Sequence, residues 1–181
     1  MNKLIVLPGN SIKNKAWGEA VVARFGSLFD ESYMQSYDHW ESGAETIDFD
    51  RESEKLRERV AADGPEAVHF VFAKSFGSIL AFLSIHRGYV TPAQCVFFGI
   101  PLNLVDEQGI WNGEWSPLST FTVPALAFHN QDDPVASFSF TKEKLAEHTV
   151  SSITVVPLDG EDHSYTGLEE YAAQIEAFLA L

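Results

Sequence analysis

The residues 68–85 constrain the fold of this chain more than any other segment. An apolar run over 68–73 breaks at Lys74-Ser75-Phe76-Gly77, and apolar residues then return with helical spacing. The pattern predicts a strand, a sharp turn and a helix, with Ser75 on the turn and a small residue two positions away on either side. The turn leaves the backbone N–H of Phe76 unpaired at the positive end of the helix, where it can stabilise a negative charge.

Strands and helices alternate along the whole chain, and the strands are apolar on both faces. This alternation predicts an α/β fold, namely a three-layer α/β/α sandwich with a mostly parallel sheet of about six strands. The predicted strands are 3–7, 32–37, 67–73, 94–99, 124–128 and 152–156. The predicted helices are 16–29, one that begins near Asp50, the one after Ser75, 134–148 and 167–181.

The composition indicates one globular domain over residues 1–181 and excludes several classes of partner. The 26 acidic residues outnumber the 12 basic ones, and the formal charge of −14 repels nucleic acids and anionic membrane surfaces. The single cysteine, Cys95, lies in an apolar run and is interpreted as a buried small hydrophobe, which fits a reducing compartment. With no signal-peptide pattern or membrane span, we expect a cytoplasmic protein.

One connection differs from the others, because residues 101–123 separate two predicted strands without a clear helical period. Apolar side chains in such a long irregular segment need a surface to pack on. Trp111 and Trp115 either pack this segment on the body of the protein or line a substrate pocket.

Two polar segments follow predicted strands and therefore reach the same edge of the sheet as Ser75. Residues 129–135 read His-Asn-Gln-Asp-Asp-Pro-Val, and residues 160–164 read Gly-Glu-Asp-His-Ser. Serine is a weak nucleophile near neutral pH, so hydrolysis needs a base within hydrogen-bond reach and a third group that orients the base. An acid from the first segment and His163 from the second satisfy that need.

These motifs resemble those of the α/β-hydrolase superfamily, in particular its small, nearly lidless, esterase-like serine hydrolases. Residues 73–77 match the nucleophile elbow G-x-S-x-G except for Ala73, and the order Ser, Asp, His is the order this superfamily uses. The resemblance covers nearly the whole chain and implies that Ser75 is the nucleophile and His163 the base. It also implies that residues 101–123 form a short cover within the domain rather than a separate lid domain. It implies Asp133 as the orienting acid; Asp132 competes for this role, but only Asp133 directly precedes Pro-Val.

The resemblance also implies an oxyanion hole built from backbone N–H groups. Phe76 supplies one group, and the Pro8-Gly9-Asn10 loop supplies the other, with Asn10 as the expected donor. This chain lacks the His-Gly-Gly form of that loop, so the choice between Asn10 and a neighbour stays open. His129 is expected to support the site by hydrogen bonding rather than to react.

Three further residues lie near the predicted site. His39 and Trp40 follow the second strand. Either both residues line the substrate pocket, or Trp40 packs on the protein while His39 lies at the surface. Lys74 is either a surface lysine or a local basic group that compensates the charge of an anionic substrate. No metal-ligand spacing and no Gly-rich phosphate loop occurs, so we expect neither a metal nor a cofactor.

The predicted function is that of a serine hydrolase that cleaves a carboxylic ester or thioester through an acyl-enzyme on Ser75. The expected partner is a small-molecule acyl substrate, with no nucleic acid and no membrane, and the sequence does not indicate an oligomeric state. The alternative is a non-catalytic module that binds a ligand or a protein on the same scaffold.

Overall fold

The computed structural model describes residues 1–148 and 150–179, and its centre is a sheet of six parallel strands. The spatial order is β2-β1-β3-β4-β5-β6, so β3 and β4 lie in the middle of the sheet. The strands are β1 (Asn2–Leu7), β2 (Glu31–Met34), β3 (Val68–Lys74), β4 (Pro92–Phe98), β5 (Ala125–Asn130) and β6 (Ile153–Leu158). The prediction of a parallel sheet of about six strands is confirmed.

Helices cover both faces of this sheet. They are α1 (Asn14–Phe25), α2 (His39–Ser42), α3 (Phe49–Asp63), α4 (Phe76–His86), α5 (Leu102–Glu107), α6 (Ser116–Ser119), α7 (Phe138–Glu147) and α8 (Leu168–Leu179). Helices α1 and α8 share a core with one face of the sheet, and α3, α4 and α7 share a second core with the other face. The three-layer α/β/α arrangement is therefore confirmed. Within the described residues, no helix has the length and apolar character that crossing a membrane requires.

Three predicted elements are shorter than the sequence pattern indicates. Helix α1 ends at Phe25 rather than at position 29, and a 3₁₀ turn at Gly26–Leu28 follows it. Strand β2 ends at Met34, and the buried side-chain amide of the next residue, Gln35, donates to the carboxylate and carbonyl oxygens of Glu52. Helix α7 begins at Phe138, capped by Ser137, rather than at position 134. The residues before it form a turn whose N–H groups point at Asp133. Positions 180–181 of the last predicted helix lie outside the described residues.

The sequence suggested an irregular connection over 101–123, but the structure shows short helical elements there. It contains α5, a short 3₁₀ turn at Ile110–Gly113 and α6. Elements of four to six residues are too short to show a helical period in the sequence. Their apolar side chains pack in the same core as α4, and the buried ones are Leu102, Val105, Ile110, Leu118 and Phe121. The segment thus covers the α4 side of the sheet.

The first turn of α4 lies directly against the end of β1, and Gly77 permits this contact. A Cβ atom at Gly77 would overlap the carbonyl oxygen of Leu7 and would lie 2.6 Å from that of Pro8. Both atoms belong to the backbone and cannot rotate away. The small residue that the turn motif requires is therefore explained by helix-to-strand packing.

We predict that Gly77→Ala destabilises the protein by about 2 kcal/mol or more, because the new methyl group must displace backbone rather than a flexible side chain. The free energy of unfolding in urea measures this effect. Gly167→Ala is the control, since a Cβ there would meet only the mobile carboxylate of Glu170, at 3.1 Å. Equal stability of the Gly77 variant and the wild type would contradict the packing argument.

Candidate active site

Ser75 occupies the turn between β3 and α4 in a backbone conformation that non-glycine residues rarely adopt. Its φ of 52° and ψ of −127° lie outside the usual regions for an L-residue. Strain of this kind persists only where the surroundings over-determine the backbone. The Ser75 N–H donates to the carbonyl of Phe98 (3.0 Å), and its carbonyl accepts from the N–H and hydroxyl of Ser78 (both 2.8 Å). The predicted strand, turn and helix are all present at this position.

Asp133 follows β5, and its side chain is fully buried. Its carboxylate accepts hydrogen bonds from His163 Nδ1 (2.7 Å to Oδ2 and 2.9 Å to Oδ1) and from the N–H groups of Val135 (2.8 Å) and Ala136 (3.3 Å). The hydroxyl of Tyr165 donates to Oδ2 at 2.6 Å. The charge is therefore compensated on every side, as a buried carboxylate requires.

The pKa of Asp133 follows from these contacts. Burial alone would raise it, but hydrogen bonds from His163 and Tyr165 favour the ionised form and hold the pKa below the ordinary value of an aspartate. Burial and the bond to Asp133 both raise the pKa of Tyr165, so its hydroxyl stays protonated and remains a donor. Asp133 is thus an ionised acceptor at neutral pH.

His163 lies in the loop between β6 and α8 with its side chain mostly buried. Because Nδ1 is committed to Asp133, its Nε2 is free to act as a base, and this atom has no hydrogen-bond partner among the described residues. Ser75 and His163 both lie at the end of β4. The Ser75 N–H bonds to Phe98, and a Cβ on the next residue, Gly99, would lie 2.9 Å from His163 Cε1. No hydrogen bond joins Ser75 Oγ to His163 Nε2 in this arrangement.

The two adjacent aspartates have different surroundings. Asp133 contacts His163, whereas the exposed Asp132 uses its backbone N–H to bond the carbonyl of Gly160 (3.1 Å). His129 is fully buried and bonds the Ala136 carbonyl through Nε2 (2.7 Å), and burial lowers its pKa. The geometry thus brings Asp133, not Asp132, to the histidine, and it gives His129 a supporting contact with the 133–136 turn. The catalytic roles of these residues remain predictions.

Both predicted oxyanion donors border Ser75. The N–H of Phe76 opens α4, and neither it nor the N–H of Asn10 donates a hydrogen bond to any described residue. The Asn10 loop approaches Ser75 closely, since a Cβ at Gly9 would lie 3.2 Å from Ser75 Cβ. The side chain of Asn10 is anchored in turn by the N–H of Ile47 (2.8 Å).

His39 and Trp40 hold the Asn10 loop in place. The Nε2 of His39 and the Nε1 of Trp40 both donate to the Asn10 carbonyl at 2.7 Å. His39 is buried, so its interpretation as a surface residue is wrong; it stacks on Tyr37 instead. The two side chains also line a cavity of about 200 Å³ with Asn10 and Glu45. These bonds restrain the Asn10–Ser11 peptide group, which is adjacent to the peptide group that carries the predicted oxyanion donor.

The two tryptophans of the 101–123 segment lie farther along α4. Trp111 packs edge-on against Phe82 (6.3 Å between ring centroids), and Phe82 lies about 10 Å along the helix from Ser75. Trp115 stacks on His148 (4.7 Å) and contacts the Lys144 ammonium (5.2 Å). Packing accounts for the contacts of Trp115, while Trp111 also borders a cavity of about 320 Å³. A substrate-pocket role for either residue remains a prediction.

The sequence interpretation was wrong for Lys74 and did not identify Tyr165. Lys74 is only 4% exposed, so its interpretation as a surface lysine is wrong. Side chains alternate along β3, and this one turns toward α1, away from the face that carries Ala73. Tyr165 was missed, although it stands two residues after His163. Its position in the sequence gives no indication that its hydroxyl reaches Asp133, since this contact forms only in the folded chain.

The chain shares this architecture with solved structures of distant sequence. An esterase from Pyrococcus furiosus is 14% identical and superposes with a TM-score of 0.75, covering 99% of this chain and 82% of the esterase. Acyl-protein thioesterase 2 from Zea mays is 13% identical with a TM-score of 0.68, covering 98% of this chain and 94% of the other. Mouse alpha/beta hydrolase domain-containing protein 10 is 14% identical with a TM-score of 0.69, covering 98% and 89%.

No protein-family model matches the sequence, and no curated protein matches it either. Among the described residues, no group of three or more His, Cys, Asp or Glu side chains is placed to hold a metal ion. At these identities the structural likeness establishes the fold. The parallel six-stranded sheet, the turn at Ser75 and the solved relatives together show that this chain has the fold of the α/β-hydrolase superfamily.

Proposed function

We propose that this protein is a serine hydrolase that cleaves carboxylic esters or thioesters through an acyl-enzyme on Ser75. One observation carries the proposal: His163 is oriented by a fully buried, ionised Asp133 at the sheet edge where Ser75 occupies a strained turn. A buried His–Asp pair also occurs at His69 and Asp63, and what distinguishes His163 is its place beside the end of β4 that holds the strained Ser75 turn. The structurally similar proteins include an esterase and a thioesterase, which supports the same reaction class.

The proposed reaction has two halves. His163 Nε2 takes the proton of Ser75 as Oγ attacks the carbonyl carbon, and the N–H groups of Phe76 and Asn10 stabilise the oxyanion. The leaving alkoxide or thiolate then receives that proton from His163, which leaves an acyl group on Ser75. Water attacks the acyl group with His163 again as base, and the acid is released. Asp133 stays ionised throughout and stabilises the imidazolium.

The first test measures the intact mass after treatment with a fluorophosphonate. An activated Ser75 displaces fluoride and forms an O–P bond, so we expect one adduct on the wild type and none on Ser75→Ala. Ser11→Ala is the matched control, because Ser11 is an exposed serine in the loop that follows β1. It should label like the wild type. A folded wild type that forms no adduct would favour the alternative, a binding module without turnover.

Neighbouring aspartates offer a second matched pair. We expect Asp133→Asn to lower kcat on an ester substrate by roughly 10³- to 10⁴-fold. The reason is that an amide neither orients the His163 ring correctly nor stabilises its positive charge. Asp132→Asn should stay within a few-fold of the wild type, since this side chain is exposed. Steady-state kinetics on folded variants measures both. A larger loss in the Asp132 variant would reverse the assignment.

Tyr165→Phe tests whether Asp133 must be held by its second side-chain donor. Losing a hydrogen bond to a buried charge should lower the free energy of unfolding by about 1.5–3 kcal/mol at neutral pH, and should lower kcat more than it changes KM. Tyr171→Phe is the control, because that ring packs on Phe128 and its hydroxyl has no hydrogen bond to a described residue.

The pH dependence of this stability loss has a defined sign. Because the folded-state pKa of Asp133 lies below its unfolded value, the ionised group stabilises the protein above the unfolded pKa. This contribution disappears as the pH falls through the folded pKa. The stability difference between the wild type and Tyr165→Phe should therefore shrink in acid, and urea unfolding at several pH values measures it. A difference independent of pH would indicate a packing role for the hydroxyl.

A further inference from the structure

A cavity of about 270 Å³ lies between α1 and the loop that joins β6 to α8, on the opposite side of β3 from α4. Ser75 and His163 are not among its lining residues. Its walls combine an apolar surface with a small polar end, and its lining residues are Lys13, Asn14, Ala16, Trp17, Ala20, Lys74, Ser164, Thr166 and Leu168. The volume is below the usual range for drug-sized ligands, which indicates a smaller molecule.

The polar end of this cavity holds a buried ammonium group that lacks a counter-ion. Lys74 Nζ donates to the side-chain oxygen of Asn14 at 2.8 Å, and it lies 5.8 Å from the centre of the Trp17 ring. No described carboxylate lies within 4.0 Å of it. Burial lowers the pKa of Lys74 to about 8, against the opposing influence of the Asp162 and Asp133 carboxylates. A neutral amide acceptor thus remains its single close partner among the described residues.

A buried charge with one neutral partner is costly, and an anion placed beside it would recover part of that cost. Lys13 is exposed at the rim of the cavity and adds a second positive charge. The opposite wall is apolar, formed by the Trp17 ring, Ala20 and Leu168. The site therefore suits a molecule with one anionic end and a short apolar body.

We propose that this cavity binds a small monocarboxylate, with its carboxylate on Lys74 and its apolar part against Trp17. A carboxylate matches the buried ammonium in charge, and the two remaining N–H donors of Nζ match its two oxygens. Binding at this site does not depend on turnover at Ser75. Ser164 and Thr166 line the cavity on either side of Tyr165, so a bound ligand also contacts the loop that positions His163.

Isothermal titration calorimetry of the 181-residue protein with butyrate and benzoate tests the proposal. The titrations are made at about 0.15 M salt, because this ionic strength screens long-range repulsion between the acidic surface and the anionic probes. We expect saturable binding of at least one probe to the wild type, and at least 10-fold weaker binding to Lys74→Met. Lys15→Met is the matched control, an exposed lysine of α1 outside the cavity, and should bind like the wild type. Butyramide and benzamide, which have the same shapes without the charge, should bind at least 10-fold more weakly.

A second pair of variants keeps Lys74 in place. Ala20→Phe should fill the apolar part of the cavity and weaken binding, whereas Ala23→Phe, on the exposed surface of α1, should not. This pair decides the question if Lys74→Met fails to fold. No saturable heat with either acid, equal affinity for acids and amides, or equal loss in both lysine variants would overturn the proposal.

Discussion

The negative charge of Asp133, buried without solvent, sets the geometry of the whole site. Four groups donate to this carboxylate, and they come from two stretches of chain, the turn at 135–136 and the loop at 163–165. In a region of low dielectric each of these bonds is strong, and losing one leaves a charge that water cannot reach. The carboxylate therefore ties the loop after β5 to the loop after β6 and fixes the orientation of the His163 ring between them.

The other half of the site depends on close backbone approach rather than on charge. Ser75 keeps a strained conformation because β4 holds its N–H, Ser78 holds its carbonyl, and the helix that follows is pressed against β1. The small residues Gly77 and Gly99 make this possible, since a Cβ at either position would overlap neighbouring atoms. Because Phe76 is the first residue of α4, its N–H has no intrahelical acceptor, and it bonds none of the other described residues either.

Two buried charged groups of opposite sign lie near the same edge of the sheet, and they have different hydrogen-bond partners. Asp133 is surrounded by donors and stays ionised, whereas Lys74 has one neutral acceptor and a cavity in front of it. Lys74 is the last residue of β3 and turns toward α1, where its ammonium bonds Asn14, whereas Asp133 follows β5 and bonds His163. The ammonium therefore faces a different space from the carboxylate, and the cavity beside α1 marks that space.

The sequence alone was sufficient for the parallel α/β architecture, because apolar strands that alternate with amphipathic helices have few other ways to bury their faces. It also placed Ser75 on its turn and put the Asp133 and His163 segments at the same sheet edge. Its boundaries failed where short elements show no period, as in α5 and α6, and at the end of β2 and the start of α7.

Only the tertiary structure shows that Asp133 and not Asp132 contacts His163, that Lys74 and His39 are buried, and that the Tyr165 hydroxyl reaches the carboxylate. Each of these outcomes depends on which way one side chain points in a loop or strand, and on what lies opposite it. Neighbouring elements supply that information, and they are distant in sequence. Periodicity and motif spacing determine which segments meet, whereas the direction of individual side chains is settled by packing.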